Sequence, residues 1–145
     1  MYRNDEGYAD PTAGAAIRSV MKEYRNEQRK VWRKETEIKE RPKVYIVSPY
    51  AGDVKSNVNN AIRYCRYAIN RKKIPVASHL LYPQMLNDNI PEEREIGTLY
   101  GLSLLAICDE IWCFGDELSP GMEKEIKEAK RLKKRIRYFS KEVMV

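Results

Sequence analysis

The sequence is poor in the residues from which most metal and redox sites are built. It holds one histidine and three cysteines in 145 residues. A solitary His79 excludes any metal cluster built on histidines. Cys65, Cys108 and Cys113 are odd in number and lack Cys-x-x-Cys spacing, which speaks against both a disulfide framework and a zinc site. The expected compartment is therefore reducing, the cytoplasm. Long apolar runs are missing too. The longest, Leu102 to Cys108, is broken by Ser103, so no membrane span is expected. Arg3, Asp5, Glu6 and Asp10 surround no apolar stretch, and a secretory signal is not expected. Neither Gly-x-Gly-x-x-Gly nor Gly-Lys-Ser/Thr occurs, which removes the dinucleotide fingerprint and the P-loop. There is no internal repeat.

What is present suits a globular protein. Apolar residues make up 43% of the chain, and its length fits one domain with a core of its own. The formal net charge is +6, and the excess is local. Between Ala15 and Arg41 nine Lys/Arg stand against five Glu, and a second basic block runs from Lys130 to Arg137. Either block would attract nucleic acid or a phosphorylated ligand. Both, however, mix signs or lie on helix surfaces, for which a solvated face is the ordinary explanation. Nucleic acid is thus not expected as a partner, and only Tyr24 and Trp32 offer aromatic interleaving for it.

Residues 1–14 read as a disordered tail, with Gly7, Asp10, Pro11 and Gly14 among polar neighbours. Ile17, Val20, Met21, Tyr24, Val31 and Ile38 then recur at helical spacing, which predicts a basic helix over residues 15–41. Its thin apolar stripe needs cover, from the rest of the chain or from another subunit. In residues 42–145 strands and helices alternate. Strands are expected at Lys43–Ser48, Ile74–Ser78, Glu110–Phe114 and Arg135–Phe139. Helices are expected at 56–72, from Pro91 to near Cys108 and after Ser119, with a short helix and loop in 79–89. The alternation implies an α/β fold: a three-layer sandwich with a four- or five-stranded parallel sheet, Rossmann- or flavodoxin-like, behind an N-terminal helical extension.

In such sheets ligands bind at the carboxyl ends of the strands. Three loops converge there: Ser48-Pro49-Tyr50-Ala51-Gly52-Asp53, Ser78-His79, and Gly115 to Gly121. Ser48 and Gly52 would let a ligand approach the backbone, although Gly52 equally reads as a plain turn residue. His79 either faces the site or is a satisfied polar core residue. Arg94 is a cation at the helix end that suits Glu92, Glu93 and Glu95; a site carboxylate or an anionic ligand is its expected partner. The last loop leads into Ser119-Pro-Gly121-Met122-Glu-Lys-Glu125. Ser119 can cap a helix there, Pro120 fits its first turn, and the free N–H groups of such a start attract anions. At about 100° per residue, Glu125 falls on the inward side, beside the stripe of Met122, Ile126, Ala129, Leu132 and the Lys133 stem. A carboxylate at that place suits a nucleophile or a general base. A rim glutamate paired with a lysine is the plainer alternative.

Val44-Tyr-Ile-Val-Ser-Pro, Leu105-Ala-Ile-Cys-Asp-Glu-Ile-Trp and Ser119-Pro-Gly-Met-x-x-Glu125-Ile-x-x-Ala129 together resemble the nucleoside 2-deoxyribosyltransferase superfamily, which includes the deoxynucleoside-monophosphate N-glycosidases. The resemblance spans residues 43–139. Ser48-Pro-Tyr-Ala-Gly-Asp, Ser78-His-Leu-Leu, Glu93-Arg-Glu-Ile-Gly97 and Ser119-Pro-Gly-Met resemble an uncharacterised branch of it. The resemblance implies a glutamate nucleophile, Glu125, attacking the anomeric carbon of deoxyribose. It implies that Tyr45 positions this carboxylate and that Ser119 lies beside the sugar or its 5′-phosphate. It implies no cofactor and no metal, a nucleoside or nucleotide ligand, and a homo-oligomer in which a neighbouring subunit completes the site. A second acidic residue, which handles the base, is implied eight residues before Asp109. Gly101 stands there instead, leaving Glu93, Glu95 and Asp53 as replacements.

Two classes of function follow. One is an N-glycosidic-bond enzyme, a 2-deoxyribosyltransferase or a deoxynucleotide N-hydrolase. Cleavage builds positive charge on the sugar, which one carboxylate captures while an acid protonates the leaving base. The other is a non-catalytic nucleotide-binding protein that senses or sequesters a nucleotide-derived ligand, which Gly101 and the basic surface favour. Around catalytic Glu125 and Tyr45, the expected binding set is Ser48, Pro49, Tyr50, Gly52, Asp53, His79, Arg94, Ser119, Gly121 and Met122.

Overall fold

The computed structural model describes residues 10–145, and the chain divides into two compact units between Glu40 and Arg41. The first contains helix α1, Pro11–Lys39. It starts four residues before the expected boundary. The Asp10 carboxylate accepts from the N–H groups of Thr12 and Ala13, both at 3.0 Å. Pro11 takes the first helical position, where its missing N–H costs nothing. Pro11–Gly14 are therefore helical and not part of a disordered tail; the remainder of that tail, residues 1–9, lies outside the described residues. The helix stops at Lys39, with Glu40 rather than Arg41 at its C-cap.

The second unit runs β1 (Lys43–Val47), α2 (Val54–Asn70), β2 (Ile74–Val76), α3 (Ser78–Leu81), a 3-10 turn at Tyr82–Gln84, α4 (Pro91–Ala106), β3 (Glu110–Phe114), α5 (Pro120–Arg131) and β4 (Arg135–Phe139). The four strands form one parallel sheet in the order β2-β1-β3-β4. The chain leaves β1 toward one edge and returns past it to β3, so the direction of winding reverses between these two strands. Such a reversal opens a crevice at the strands' carboxyl ends. Among the described residues no helix is long and apolar enough to cross a membrane.

A parallel sheet is buried on both faces, and alternate residues of each strand serve opposite sides. Tyr45, Val47, Ile111 and Cys113 pack with Leu105 and Cys108 and with Met122, Ile126 and Ala129 of α5. Val44, Ile46, Trp112 and Phe114 pack with Tyr64 and Ala68 of α2. Tyr64 stacks on Phe114 with ring centres 4.3 Å apart. Two cores on either side of one sheet make the three-layer α/β sandwich expected from the sequence.

Several boundaries differ from expectation: the helix expected at 56–72 spans Val54–Asn70, and the first strand ends at Val47. The second strand ends at Val76, because Ser78 already opens α3. Lys133 is not part of the α5 stripe. The helix ends at Arg131, Leu132 caps it, and Lys133 adopts a left-handed φ of 56° with its side chain exposed. That conformation costs a residue with a Cβ about 1–2 kcal/mol, and glycine is its usual occupant at this place after a helix. Lys133→Gly is expected to stabilise the protein by about 0.5–1 kcal/mol in urea denaturation, the strain relieved outweighing glycine's unfolded-state entropy. An unchanged or lower midpoint would show that the turn is not strained.

Candidate functional site

The loops leaving β1, β2 and β3 and the start of α5 enclose a cavity of about 500 Å³. Tyr45 enters it from the strand itself. Its ring belongs to the core shared with α5, and its hydroxyl lies 2.6 Å from the Ser78 hydroxyl at the start of α3. The same hydroxyl meets the carboxylate of Glu125. Burial and this neighbouring negative charge together raise the Tyr45 hydroxyl's pKa out of its ordinary range, so it stays protonated and serves as a donor.

Glu125 arrives from α5. Ser119 caps that helix, its hydroxyl accepting from the Met122 N–H at 3.3 Å, and Met122 and Ile126 anchor the first two turns in the core. Glu125 lies between them on the inner edge. Burial pushes its carboxyl up to about 7, with the Tyr45 hydrogen bond pulling part of the way back. Its Oε2 is buried with no hydrogen-bond partner among the described residues. A carboxylate oxygen in that condition is either a strained structural group or one kept available for a ligand.

The first loop supplies Ser48, Tyr50 and Ala51 to the cavity wall. Ser48 is only 4% exposed, and its hydroxyl lies 2.9 Å from Nε2 of His79. Burial lowers His79 to about 4, so the ring is neutral near pH 7 and exchanges a neutral hydrogen bond with Ser48. Asn57 holds this loop from α2, donating to the carbonyls of Tyr50 and Ala51 at 3.0 Å each. Pro49, Gly52 and Asp53, expected in the binding set, lie outside the lining. The second half of the loop turns away to begin α2: Gly52 takes a φ of 93°, and the Asp53 carboxylate accepts the Ser56 N–H at 3.2 Å.

Arg94, Ser119, Gly121 and Met122 all line the cavity. Arg94 finds its carboxylate outside the expected motifs. Its Nε donates to the Asp88 carbonyl at 3.1 Å and stands 3.9 Å from the Asp88 carboxylate, at an exposed rim. Of Glu93, Glu95 and Asp53, Glu93 reaches the cavity wall. Lys124 lines the opening together with Tyr82 and Leu86. The segment that carries Tyr82 and Leu86 has no apolar period, so no sequence signal singled them out. The apolar run ending at Ser78 reads as a strand, which hides the part Ser78 has in holding Tyr45. Among the described residues no group of three or more His, Cys, Asp or Glu is arranged to hold a metal ion.

Gly101 explains why no acid occupies its position. A Cβ built there would stand 2.9 Å from the Ser78 hydroxyl oxygen and 3.2 Å from the Tyr45 hydroxyl oxygen. The bonded Tyr45–Ser78 pair fills the space where a longer side chain would begin. Gly101→Ala is accordingly expected to lose about 1 kcal/mol net in denaturant unfolding, the crowding exceeding alanine's gain in helix propensity. Ser78→Ala removes the nearest atom, so the double variant should be more stable than the two single losses add up to. Strict additivity would show that the contact carries no energy.

With this geometry in place, the chain can be compared with known proteins. It is similar in structure to a 2-deoxyribosyltransferase from the psychrotolerant bacterium Bacillus psychrosaccharolyticus, with a TM-score of 0.54, 16% identity, and coverage of 71% of this chain and 75% of that one. A 2-desoxiribosyltransferase from Leishmania mexicana gives a TM-score of 0.48 at 20% identity, covering 68% of this chain and 64% of that one. The first likeness shows a shared α/β fold. No curated protein matches the chain. Residues 42–139, the whole sheet with its helices, match the profile of DUF7768, a domain of unknown function, and the chain belongs to that family.

Proposed function

We propose that this protein cleaves or transfers the N-glycosidic bond of a 2-deoxynucleoside or its nucleotide, with Glu125 as nucleophile. The observation that carries the reading is Glu125 on the wall of a cavity at the carboxyl ends of β1 and β3, with its Oε2 buried and without a hydrogen-bond partner among the described residues. The fold shared with the Bacillus 2-deoxyribosyltransferase supports it. In the first step a Glu125 oxygen forms a bond to the anomeric carbon as the carbon–nitrogen bond breaks. The bonding pair leaves with the base, which takes up a proton. Water or a second base then displaces the sugar and frees the carboxylate. Tyr45 donates to Glu125 and, held by Ser78, fixes its direction. Glu93, on the cavity wall, is the carboxyl available to serve the base in place of a residue at 101. Ser119 and the N–H groups at the start of α5 take the sugar or its phosphate. Neither metal nor cofactor has a role in this scheme. Leu99, Tyr100 and Ile107, all more than half exposed, are the surface through which copies of the chain would associate.

A second reading rests on Gly101. With the acid's position closed by Tyr45 and Ser78, the cavity would hold a nucleotide without turning it over. Incubation with deoxynucleosides and their 5′-monophosphates, followed by chromatography for free base, separates the two. The enzyme reading expects base release that Glu125→Gln reduces about 10³-fold. Ligand-dependent thermal stabilisation with no base released by the parent protein would leave only the binder.

The raised carboxyl pKa gives a second test. A nucleophile must be ionised, so turnover should rise with pH through an apparent pKa near 7. A rate that falls over the same range would make Glu125 an acid instead. The stability consequence has the opposite sense. A group with a folded pKa near 7 and an unfolded one near 4.5 binds more protons when folded, so stability declines as pH rises between those values. Glu125→Gln should therefore be the more stable protein at pH 8, with the gap closing below about pH 5.

A further inference from the structure

Written as a line, the charges between Ala15 and Arg41 are mixed in sign. Wound into α1, one sector of them is not. At about 100° per residue, Arg18, Lys22, Arg25, Arg29, Arg33 and Lys39 fall within one third of the helix circumference, and no carboxylate between residues 15 and 39 shares that sector. Glu23, Glu27, Glu35 and Glu37 all lie on the other two thirds, together with Lys30 and Lys34. Lys30 is already paired, its Nζ 3.2 Å from the Glu27 carboxylate. The six cations of the clean sector are exposed, and among the described residues none has a carboxylate within ion-pair distance. Trp32, 66% exposed, stands in the same sector. Val20, Val31 and Ile38 occupy the opposite side.

From this arrangement we infer that α1 is a nucleic-acid-binding element, gripping the phosphate backbone through Arg18, Lys22, Arg25, Arg29 and Arg33. These five cover about 22 Å of helix axis, a length that meets phosphates over about six base steps. Arginine is four of the five, and its planar guanidinium suits phosphate oxygens in pairs. Trp32 adds a face on which an unpaired base can stack. The cations are placed for phosphates, which carry no sequence information, so the grip proposed is independent of sequence. An anionic membrane fits less well. A helix lying in a bilayer surface places its tryptophan on the apolar side and its cations along the flanks. Here Trp32 and the cations stand opposite the apolar stripe, where a bilayer would hold them away from the headgroups. The inference does not depend on the glycosidic site, and loss of base release would leave it untouched.

The test uses the full chain and two double variants that each remove two charges from α1. Arg25→Gln/Arg29→Gln empties the middle of the cationic sector; Lys30→Gln/Lys34→Gln removes two cations outside it. Glutamine matches both residues in helix propensity, so the helix is kept. Anisotropy of a labelled duplex and a labelled single strand is followed as salt rises from about 50 to about 200 mM. The parent chain should bind one or both, with affinity falling linearly on a logarithmic salt scale. The sector variant should lose about tenfold or more, and its duplex salt slope should fall by about 1.8, two phosphates at about 0.9 each. The off-sector variant should stay within about twofold of the parent, since it contacts no phosphate. Absence of binding at low salt, equal losses for the two variants, or retention on phosphatidylserine vesicles without binding to either nucleic acid would each overturn the proposal.

Discussion

Burial of Met122, Ile126 and Ala129 against the sheet decides where Glu125 goes. A helix repeats every 3.6 residues, so the side chain one before Ile126 and three after Met122 is carried to the inner edge whether or not a charge is welcome there. Ser119 fixes the register by capping the helix, and the length of the preceding loop sets the cap at the carboxyl ends of β1 and β3. Rotating Glu125 out to water would unbury Met122 and Ile126, at about 1.5–3 kcal/mol each. The core therefore holds the carboxylate in place against its own desolvation, and the rise of its pKa to about 7 records that opposition. Stability alone would have placed an apolar residue at 125.

The partner of this carboxylate is held just as firmly. Tyr45 is a strand residue with no surface exposure, and it lines the cavity. Ser78 fixes its hydroxyl from the adjacent strand's exit. The two atoms can meet because α4 passes over them at a glycine: any Cβ at 101 would intrude on the Ser78 oxygen. Tyr45, Ser78 and Gly101 are thus a single device from three elements, and it fixes the Tyr45 hydroxyl beside Glu125. A second carboxylate at 101 would crowd the Ser78-braced Tyr45 and require the pair to shift.

Much of this is legible in the sequence alone. Strands buried on both faces give short, continuous apolar runs, and β1 and β3 read so plainly that their ends fall within one residue of expectation. The inward side of α5 followed from its period, and the meeting of three loops followed from parallel topology. What failed did so for identifiable reasons. Asp10-Pro11 looked like a pair of breakers, yet at a helix start both are favourable, and only the hydrogen bonds to Thr12 and Ala13 decide between these readings. Gly52 and Asp53 belong to the predicted loop but serve the next helix; no local signal says where a loop stops facing a cavity. Residues 79–89 carry neither period, so Tyr82 and Leu86 could not be assigned to a wall. Gly101 was visible as a departure, whereas its cause lies in packing between β1, α3 and α4.

The cavity also has an electrical depth profile. Its inner wall carries Tyr45, Ser48 and His79, all uncharged near pH 7, around one carboxyl poised between its two states. Its exposed rim carries Lys124, Arg94 and Asp88, with the amino end of α5 and its dipole beside them. A ligand suited to that profile has a neutral hydrogen-bonding body and a charged end that stays near solvent. On the proposed reading these are the nucleoside and its 5′-phosphate. Pushing the phosphate inward would set it against Glu125, and each ionisation would raise the cost of the other. Keeping it at the rim leaves the anomeric carbon as the part of the ligand that faces the buried carboxylate oxygen.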